Sequence, residues 1–531
     1  MIGNDLVVAY TIPNDSGKKE FITILPWGEE ITIMGENKKY YFIKFNFSKE
    51  LDDGSFILEE KSGVINKKTE LIDINNNGIL RVDFVDVQQG DAAYIETPND
   101  KRILVDGGDN QLFARYLAQK FPGSTINEPY VIDAIVATHG DADHFQGLIE
   151  IYNSEKNDVK NKQLFIYPKR IFHNGIVKSS NKINGKNVST KKRLGKTKEF
   201  DGRLYLVDLF DDITSVPKKK LNSTFQKWVK AIKAYKKRGP IELRRLEYDP
   251  TDKPFDFVKE EGIDIQVLGP RTQRKEGLST LPFLKQRDKP IPRSVIKDNE
   301  DKEKGSYSHS HTINGHSIIL KIKFKNVNIL FTGDLNDESG KDLAEQNRID
   351  LSAEIFKTPH HGSHEFSSEF LEKVKPVVSI ISSGDENAAK EYIHPRASLV
   401  GSLGKNSRVA EPLIFVTELA AFFKNMGFVD DKIYKTSKLK KQNSTKQKGP
   451  FYAFKRTAFG TVHIRTDGNR VLVYTNSGKE DMKEAYIFTV DSNGEINFES
   501  ENASARFGRL QKSKVKNGQP KGRNHDTIIT R

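Results

Sequence analysis

The sequence contains no cysteine. That absence excludes disulfides, a thiolate nucleophile and cysteine-based zinc sites together. Any metal this chain binds must be held by His, Asp or Glu. The same absence fits a reducing, cytoplasmic setting. Long apolar runs are missing too: none approaches the roughly 18 residues that a bilayer-spanning helix needs, so no membrane partner is expected. Residues 1–10 lack the basic stretch and long apolar core of a signal peptide. Hydrophobic residues are only 36% of the chain against 30% charged, which describes a soluble protein with a heavily solvated surface. Its 531 residues suffice for about two to four domains, each with a core of its own.

Charge of one sign is scarce in one region. Between residues 156 and 245 there are 25 Lys/Arg against 7 Asp/Glu, a local net of +18 in a chain whose total is +13. An anionic partner follows, with nucleic acid or a nucleotide as the first candidate. The alternative is a set of Lys-rich loops that only maintain solubility.

Residues 1–78 carry short β-prone runs at 21–25, 30–34, 40–45 and 55–58, separated by Pro26, Gly28, Gly35, Asn37, Asp53 and Gly54. This pattern predicts a small all-β, barrel-like domain. Its spacing of aromatic residues resembles a Src-homology-3-like barrel, a shape suited to a protein partner. The run DINNNG at 73–78 reads as a linker. From residue 80 the pattern changes to strands at 81–87, 92–97 and 102–105, a helix over 110–120 and a strand over 131–138, which is layered α/β architecture. A basic, irregular insertion spans about 155–305 and includes a helix at 225–235, with Trp228, Val229, Ile232 and Tyr235 on one face. That stripe reads as core, flanked by Lys227 and Lys230. Strands follow at 263–268, 317–324, 327–331, 353–358 and 377–382, with a hairpin at 461–474. The region 430–450 reads as a basic low-complexity loop, and 476–531 as a last strand and a basic tail.

The chemistry concentrates in His139-Gly-Asp141-Ala-Asp143-His144, four metal-competent side chains in six residues directly after an apolar strand. Imidazoles and carboxylates crowded in this way repel or go unsatisfied unless a cation holds them. Further elements follow: Asp86 to Asp91 (DVQQGD), Asp106-Gly-Gly108, Thr332-Gly333-Asp334, Pro359-His360-His361-Gly362-Ser363, Ser382-Ser383-Gly384 and His394-Pro395.

Together, over about 80–475, these motifs resemble the metallo-β-lactamase fold, and most closely the soluble hydrolase domain of ComEC-type DNA-uptake proteins. Asp141 stands where the general signature has a second His. The resemblance implies an αββα sandwich and two divalent metal ions. His139 and Asp141 would hold one ion and Asp143 and His144 the other. Asp334 would bridge them, and His361 would be a further ligand. His316, 18 residues before Asp334, falls near the place of the family's third His. His360 and His394 would orient substrate or protonate the leaving group, beside Asp143. Ser363 and Ser383 would offer donors to a phosphate, or else be ordinary loop residues. Asp86 and Asp106 would orient ligating histidines, or else form turns. His309 and His311 read as solvated, and His173, His463 and His525 as structural or exposed.

Asp in place of an imidazole tilts preference from zinc toward harder ions such as manganese, iron or magnesium, although zinc remains open; manganese or zinc is expected, with magnesium or iron as alternatives. Two ions about 3.5–4 Å apart suit in-line displacement at phosphorus by a metal-bound hydroxide. The expected function is therefore a phosphodiesterase or nuclease, with Lys227 and Lys230 guiding a polyanion. The alternatives are hydrolysis of a cyclic nucleotide, lactone or thioester, and a nucleic-acid-binding adaptor with a vestigial metal site.

Overall fold

The computed structural model describes all residues except 14, 16, 51–55, 75, 76, 184, 288–304, 385–393, 420, 421, 424–451, 454–456, 459, 477–484 and 499–531. The basic loop at 430–450, most of the charged run at 285–305, the C-terminal tail and His525 lie outside the described residues.

Two sheets face each other at the centre. The larger has ten strands. In spatial order it runs from Glu242–Arg245 through Arg170–His173, Ala134–Ala137, Arg102–Asp106, Ala92–Glu96 and Leu80–Phe84 to Thr461–Thr466, Arg470–Asn476, Ala485–Val490 and Ile496–Phe498. The smaller has six: Ile263–Gly269, Ile319–Phe324, Val327–Phe331, Ile355–Lys357, Val378–Ile381 and Leu413–Val416. Leu80–Phe84, Ala134–Ala137 and Val378–Ile381 are buried at every position. Such strands read as unbroken apolar runs because both faces of each sheet are covered. Val82, Phe84 and Val136 of the larger sheet pack against Leu320, Ile329 and Ile380 of the smaller.

Helices α1 (Leu112–Lys120), α2 (Ala142–Ser154) and α3 (Ser223–Tyr235) cover the outer face of the larger sheet. After α4 (His309–Gly315), helices α5 (Asp337–Ala344), α6 (Ser368–Val374) and α7 (Ala397–Asn406) cover the smaller. The layering is helix, sheet, sheet, helix.

The stretch at 155–305 is more regular than its composition suggested. Arg170–His173 and Glu242–Arg245 extend the larger sheet in parallel beside Ala134–Ala137. Helix α3 packs Phe225, Trp228, Ile232 and Tyr235 into the core beneath α2, as their spacing predicted. Thr197–Phe200, Arg203–Leu206, Leu278–Pro282 and Gln273–Lys275 form a sheet of their own. The strand expected over 131–138 is divided at Asp133, whose carboxylate accepts bonds from the Arg102 N–H and from Lys169 Nζ, both at 3.0 Å. Tyr130–Ile132 pairs instead with Ile166–Pro168.

At the N-terminus, Leu6–Tyr10, Phe21–Pro26, Thr32–Glu36, Tyr40–Glu50 and Phe56–Asn66 make one five-stranded antiparallel sheet with Thr32–Glu36 and Phe21–Pro26 at its edges. Trp27 and Ile24 lie against Leu472, Tyr474 and Ile487 on the outer face of the larger sheet. This unit therefore covers the part of that face that the helices leave bare.

Helix α2 sits unusually close to the end of the Arg102–Asp106 strand. A Cβ on Gly147 would lie 1.7 Å from the Gly107 carbonyl oxygen, so only glycine permits the approach. Gly147→Ala is expected to lower stability by about 1–3 kcal/mol through backbone displacement, read as a lower midpoint in urea denaturation. An unchanged midpoint would mean that the helix position is adjustable.

Candidate metal centre

All the motifs meet on one rim of the sandwich, where strands of both sheets end. His139 follows Ala134–Ala137, Asp106 closes Arg102–Asp106, Asp334 follows Val327–Phe331, and His361 follows Ile355–Lys357. Asp91 immediately precedes Ala92–Glu96, which runs antiparallel to its neighbours and so begins at the same rim. The signature motif is not wholly a loop: α2 starts at Ala142, so Asp143 and His144 belong to its first turn. A carboxylate there is favoured by the helix dipole. His360 and His361 both have φ of +50°, a left-handed conformation rare for non-glycine residues. Two adjacent residues of this kind hold about 1–3 kcal/mol of strain each, which persists where function or packing enforces it.

Four side chains come together in the interior: ligand atoms of Asp91, His144, Asp334 and His361 all lie within 4.8 Å of one another. Two carboxylates set the imidazoles. Asp106 Oδ2 accepts from His144 Nδ1 at 2.8 Å and also accepts the Thr138 hydroxyl at 2.6 Å. Asp91 Oδ1 lies 3.1 Å from His361 Nδ1 and 2.8 Å from Lys357 Nζ. Both rings thus turn Nε2 inward, to 3.1 Å and 3.3 Å from Asp334 Oδ1 and 3.3 Å from each other. Asp143 Oδ2 stands 3.5 Å from His361 Nε2. Asp91, although close to Lys357 and His361, makes no hydrogen bond through Oδ1 and belongs to the group that faces the common space, while Asp143 Oδ2 lies at its edge and accepts from Gln89 Nε2 at 3.3 Å.

The other oxygen of Asp334 faces a looser group. Oδ2 lies 3.8 Å from His139 Nε2, 3.8 Å from His360 Nε2 and 3.5 Å from Asn314 Nδ2. The tautomer of His139 follows from its neighbours. Its Nδ1 is 3.2 Å from Thr138 Oγ1 and 3.3 Å from Ser317 Oγ. Both hydroxyl protons are committed elsewhere, to Asp106 Oδ2 and to the Asn314 carbonyl. Nδ1 must therefore be the donor, which leaves a lone pair on Nε2. That buried atom has no hydrogen-bond partner and faces a carboxylate. Burial, with the charge of His144 beside it, pushes the His139 pKa down to about 4.

Electrostatics point the same way. Burial opposes charge on His144 and His361, but Asp334 with Asp106 for the first ring, and Asp334 with Asp91 for the second, outweigh it and raise both pKa values well above the usual imidazole value. Burial likewise opposes the carboxylate of Asp143, yet the bond to His361 and the charges of His144 and His361 hold it below the ordinary range. Carboxylate oxygens and imidazole nitrogens that converge in the interior, among them the unpartnered Nε2 of His139, are what a divalent cation satisfies. The residues present therefore fit a metal ion of the nitrogen- and oxygen-loving kind.

Not every expected residue joins this group. Asp141 is held by Lys178, Nζ to Oδ1 2.6 Å. His316 turns away: its Nε2 donates to the Pro282 carbonyl at 2.8 Å, because the end of α4 points it toward the Leu278–Pro282 strand. Asn314, two residues earlier, takes the place facing Asp334 and His360. His394 lies with its ring 6.2 Å from that of His360 and is pushed down to about 3 by burial and by the charges of His361 and His360. Ser363 uses its hydroxyl to accept the Glu365 N–H, and Ser383 bonds Thr417 through its backbone. Lys227 and Lys230 are exposed on the outer side of α3. His311, expected in solvent, is buried with Nδ1 3.5 Å from Glu365 Oε2. Buried His173 bonds the Asp211 carbonyl and half-buried His463 bonds the Asp83 carboxylate, so both are structural. Asp86 forms a turn, accepting the Gln88 N–H. Asp91 and Lys357 were not singled out from sequence. The only signal was the position of Asp91 at the end of DVQQGD.

Residues 85–168 match the model of the metallo-beta-lactamase superfamily. The matched stretch runs from the approach to Asp91 through the His139–His144 motif and α2; Asp334 and His361 lie beyond it. Members of that superfamily are mostly hydrolases. None of the curated proteins matches the chain.

The raised pKa values of His144 and His361 favour their protonated forms in the metal-free protein. Their stabilisation of that form is present below about 6.5 and fades as pH rises through the raised values. A divalent ion must displace these protons. Binding is therefore expected to release protons at pH 7 and to tighten as pH rises, read by calorimetry in buffers of different ionisation enthalpy. Binding that is independent of pH would contradict the arrangement. Asp106→Asn, which removes the acceptor for His144 Nδ1, is expected to weaken the ion about 10–100-fold in chelator competition.

Proposed function

We propose that this protein is a metal-dependent hydrolase acting on phosphodiester bonds, with nucleic acid as its substrate. The observation that carries the proposal is the gathering of Asp91, His144, Asp334 and His361, whose ligand atoms all lie within 4.8 Å of one another, with Asp143 Oδ2 3.5 Å from His361 Nε2. These four would hold the cation, with Asp143 in reach. When bound, such an ion acts as a Lewis acid toward a phosphoryl oxygen and activates water for attack.

The chain's own residues supply the rest. Asp106 and the Ser382 carbonyl, 2.8 Å from His144 Nδ1 and 3.2 Å from His361 Nδ1, keep the two imidazoles in the orientation that faces inward. Lys357, buried at 3% exposure, offsets the charge of Asp91 from behind. His360 retains 19% side-chain exposure where the rings of His139 and His144 have none, so it is the imidazole placed to meet a substrate. Its Nδ1 faces Glu365 Oε2 at 3.8 Å without a hydrogen bond, and its Nε2 would give a proton to a leaving oxygen.

The choice of a polyanion rests on charge. Lys178 reaches the motif from the basic stretch, while Lys182, Lys186, Lys191, Lys218, Lys227 and Lys230 remain exposed. Such a surface binds phosphates through counterion release.

The test is hydrolysis of single- and double-stranded DNA and RNA, and of cyclic dinucleotides, by metal-stripped protein refilled with manganese, magnesium or zinc. Polymer cleavage is expected, with Asp143→Ala reducing it by more than about 100-fold, beyond the loss typical of an outer-sphere partner. Turnover of cyclic dinucleotides alone would replace the polymer with a small substrate, and turnover surviving in Asp143→Ala would reject the site. Lys227→Ala with Lys230→Ala is expected to flatten the salt dependence of duplex binding by about 0.9 in log–log slope for each phosphate no longer neutralised.

A further inference from the structure

The two oxygens of Asp334 look onto unequal surroundings. On the Oδ1 side, both imidazole nitrogens come within 3.1–3.3 Å. On the Oδ2 side, His139 Nε2 and His360 Nε2 stand at 3.8 Å. Asp141, the carboxylate of the signature motif beside His139, is bound to Lys178 at 2.6 Å. Among the described residues, only the first side gathers three or more metal-competent groups within reach of one another.

Lys178 is not a casual surface partner. Its side chain is 16% exposed and that of Asp141 19%, so the pair is largely withdrawn from water. Attraction between charges at such a distance is several-fold stronger there than in bulk water. The ammonium brings one positive charge to the place where a second cation would otherwise find Asp141. A cation entering there must break that pair and also accept a repulsive neighbour. Yet the second place has a feature that calls for positive charge: the unpartnered lone pair of His139 Nε2, fully buried and turned toward Asp334.

We infer that Lys178 makes the centre asymmetric: one divalent ion is bound tightly by Asp91, His144, Asp334 and His361, and the second seat, formed by His139, Asp141 and Asp334 Oδ2, is kept weak because Lys178 holds Asp141. The inference rests on the metal-binding reading above and adds to it the number of ions retained and the residue that sets it. It also assigns Lys178 a positioning role. The residue comes from the basic stretch but acts on the metal site and not on a distant polyanion surface.

The experiment counts ions in the full chain. Metal-stripped protein is titrated with Mn²⁺ by calorimetry, passed through a desalting column and analysed for bound manganese, with electron paramagnetic resonance to detect coupled ion pairs. Wild type is expected to retain one ion. Lys178→Met is expected to retain two and to show a coupled-pair signal, while Lys178→Arg, which keeps the charge, retains one. Lys178→Met combined with Asp141→Asn is expected to return to one. Thermal unfolding of each variant identifies any that fail to fold, and for these the Asp141→Asn single variant decides, since it should retain the first ion with unchanged affinity. Two ions of equal affinity in wild type, or a single ion in well-folded Lys178→Met, would overturn the role of Lys178 while leaving the metal centre intact. No retained ion in any protein would overturn both.

Discussion

The Asp334 carboxylate is the constraint on which the rim depends. It is buried at 2% exposure, carries a charge that burial opposes, and is matched on one side by His144 and His361 and on the other by His139 and His360. An ionised group in such a place is tolerated only if its partners are fixed in advance. Much of the surrounding structure performs that fixing. Ser317 Oγ accepts the Asp334 N–H, Asp106 ties the Thr138 backbone and hydroxyl to His144, and Lys357 balances Asp91. Both sheets contribute, so the site exists only where the two layers are packed together.

This dependence explains why glycine is needed beside the site. Gly90 has φ of +101°, and a Cβ there would stand 1.8 Å from the carbonyl of Asp143. The loop bearing Asp91 therefore touches the first turn of α2 backbone to backbone, and two acidic residues from distant parts of the chain share one small volume.

The layered α/β architecture was legible because its strands are short apolar runs and its helices carry one apolar stripe; α3 and the hairpin Ile319–Phe324 with Val327–Phe331 lie close to where periodicity placed them. The signature motif was legible because its density of ligand-type side chains has no packing explanation. What the sequence could not reveal was partnership over long separations. Lys178 is one lysine among many in a basic stretch, and nothing local distinguishes the one that folds back on Asp141. Asp91 is only the last residue of DVQQGD until Lys357 and His361 are brought to it. His316 has a suitable spacing from Asp334, but spacing along the chain does not fix a ring's direction at the end of a helix. The basic stretch read as irregular because its charged residues mask two short strands, Arg170–His173 and, at the sheet edge, Glu242–Arg245.

The closing hairpin bears on how the molecule is made. Thr461–Thr466 pairs antiparallel with Leu80–Phe84, so the larger sheet's first strand in sequence is sealed by one that arrives some 380 residues later, and buried Arg465 completes the charge of Asp83 across that join. Pairings this far apart in sequence make folding slow, since the loop must close before the pairing rewards it. During synthesis at about 5–20 residues per second, the edge of Leu80–Phe84 stays unpaired for tens of seconds, with the carboxylate of Asp83 waiting beside it. A nascent chain of this design has an open sheet edge for most of its time on the ribosome, and a charged residue at that edge is the usual guard against pairing with the wrong strand.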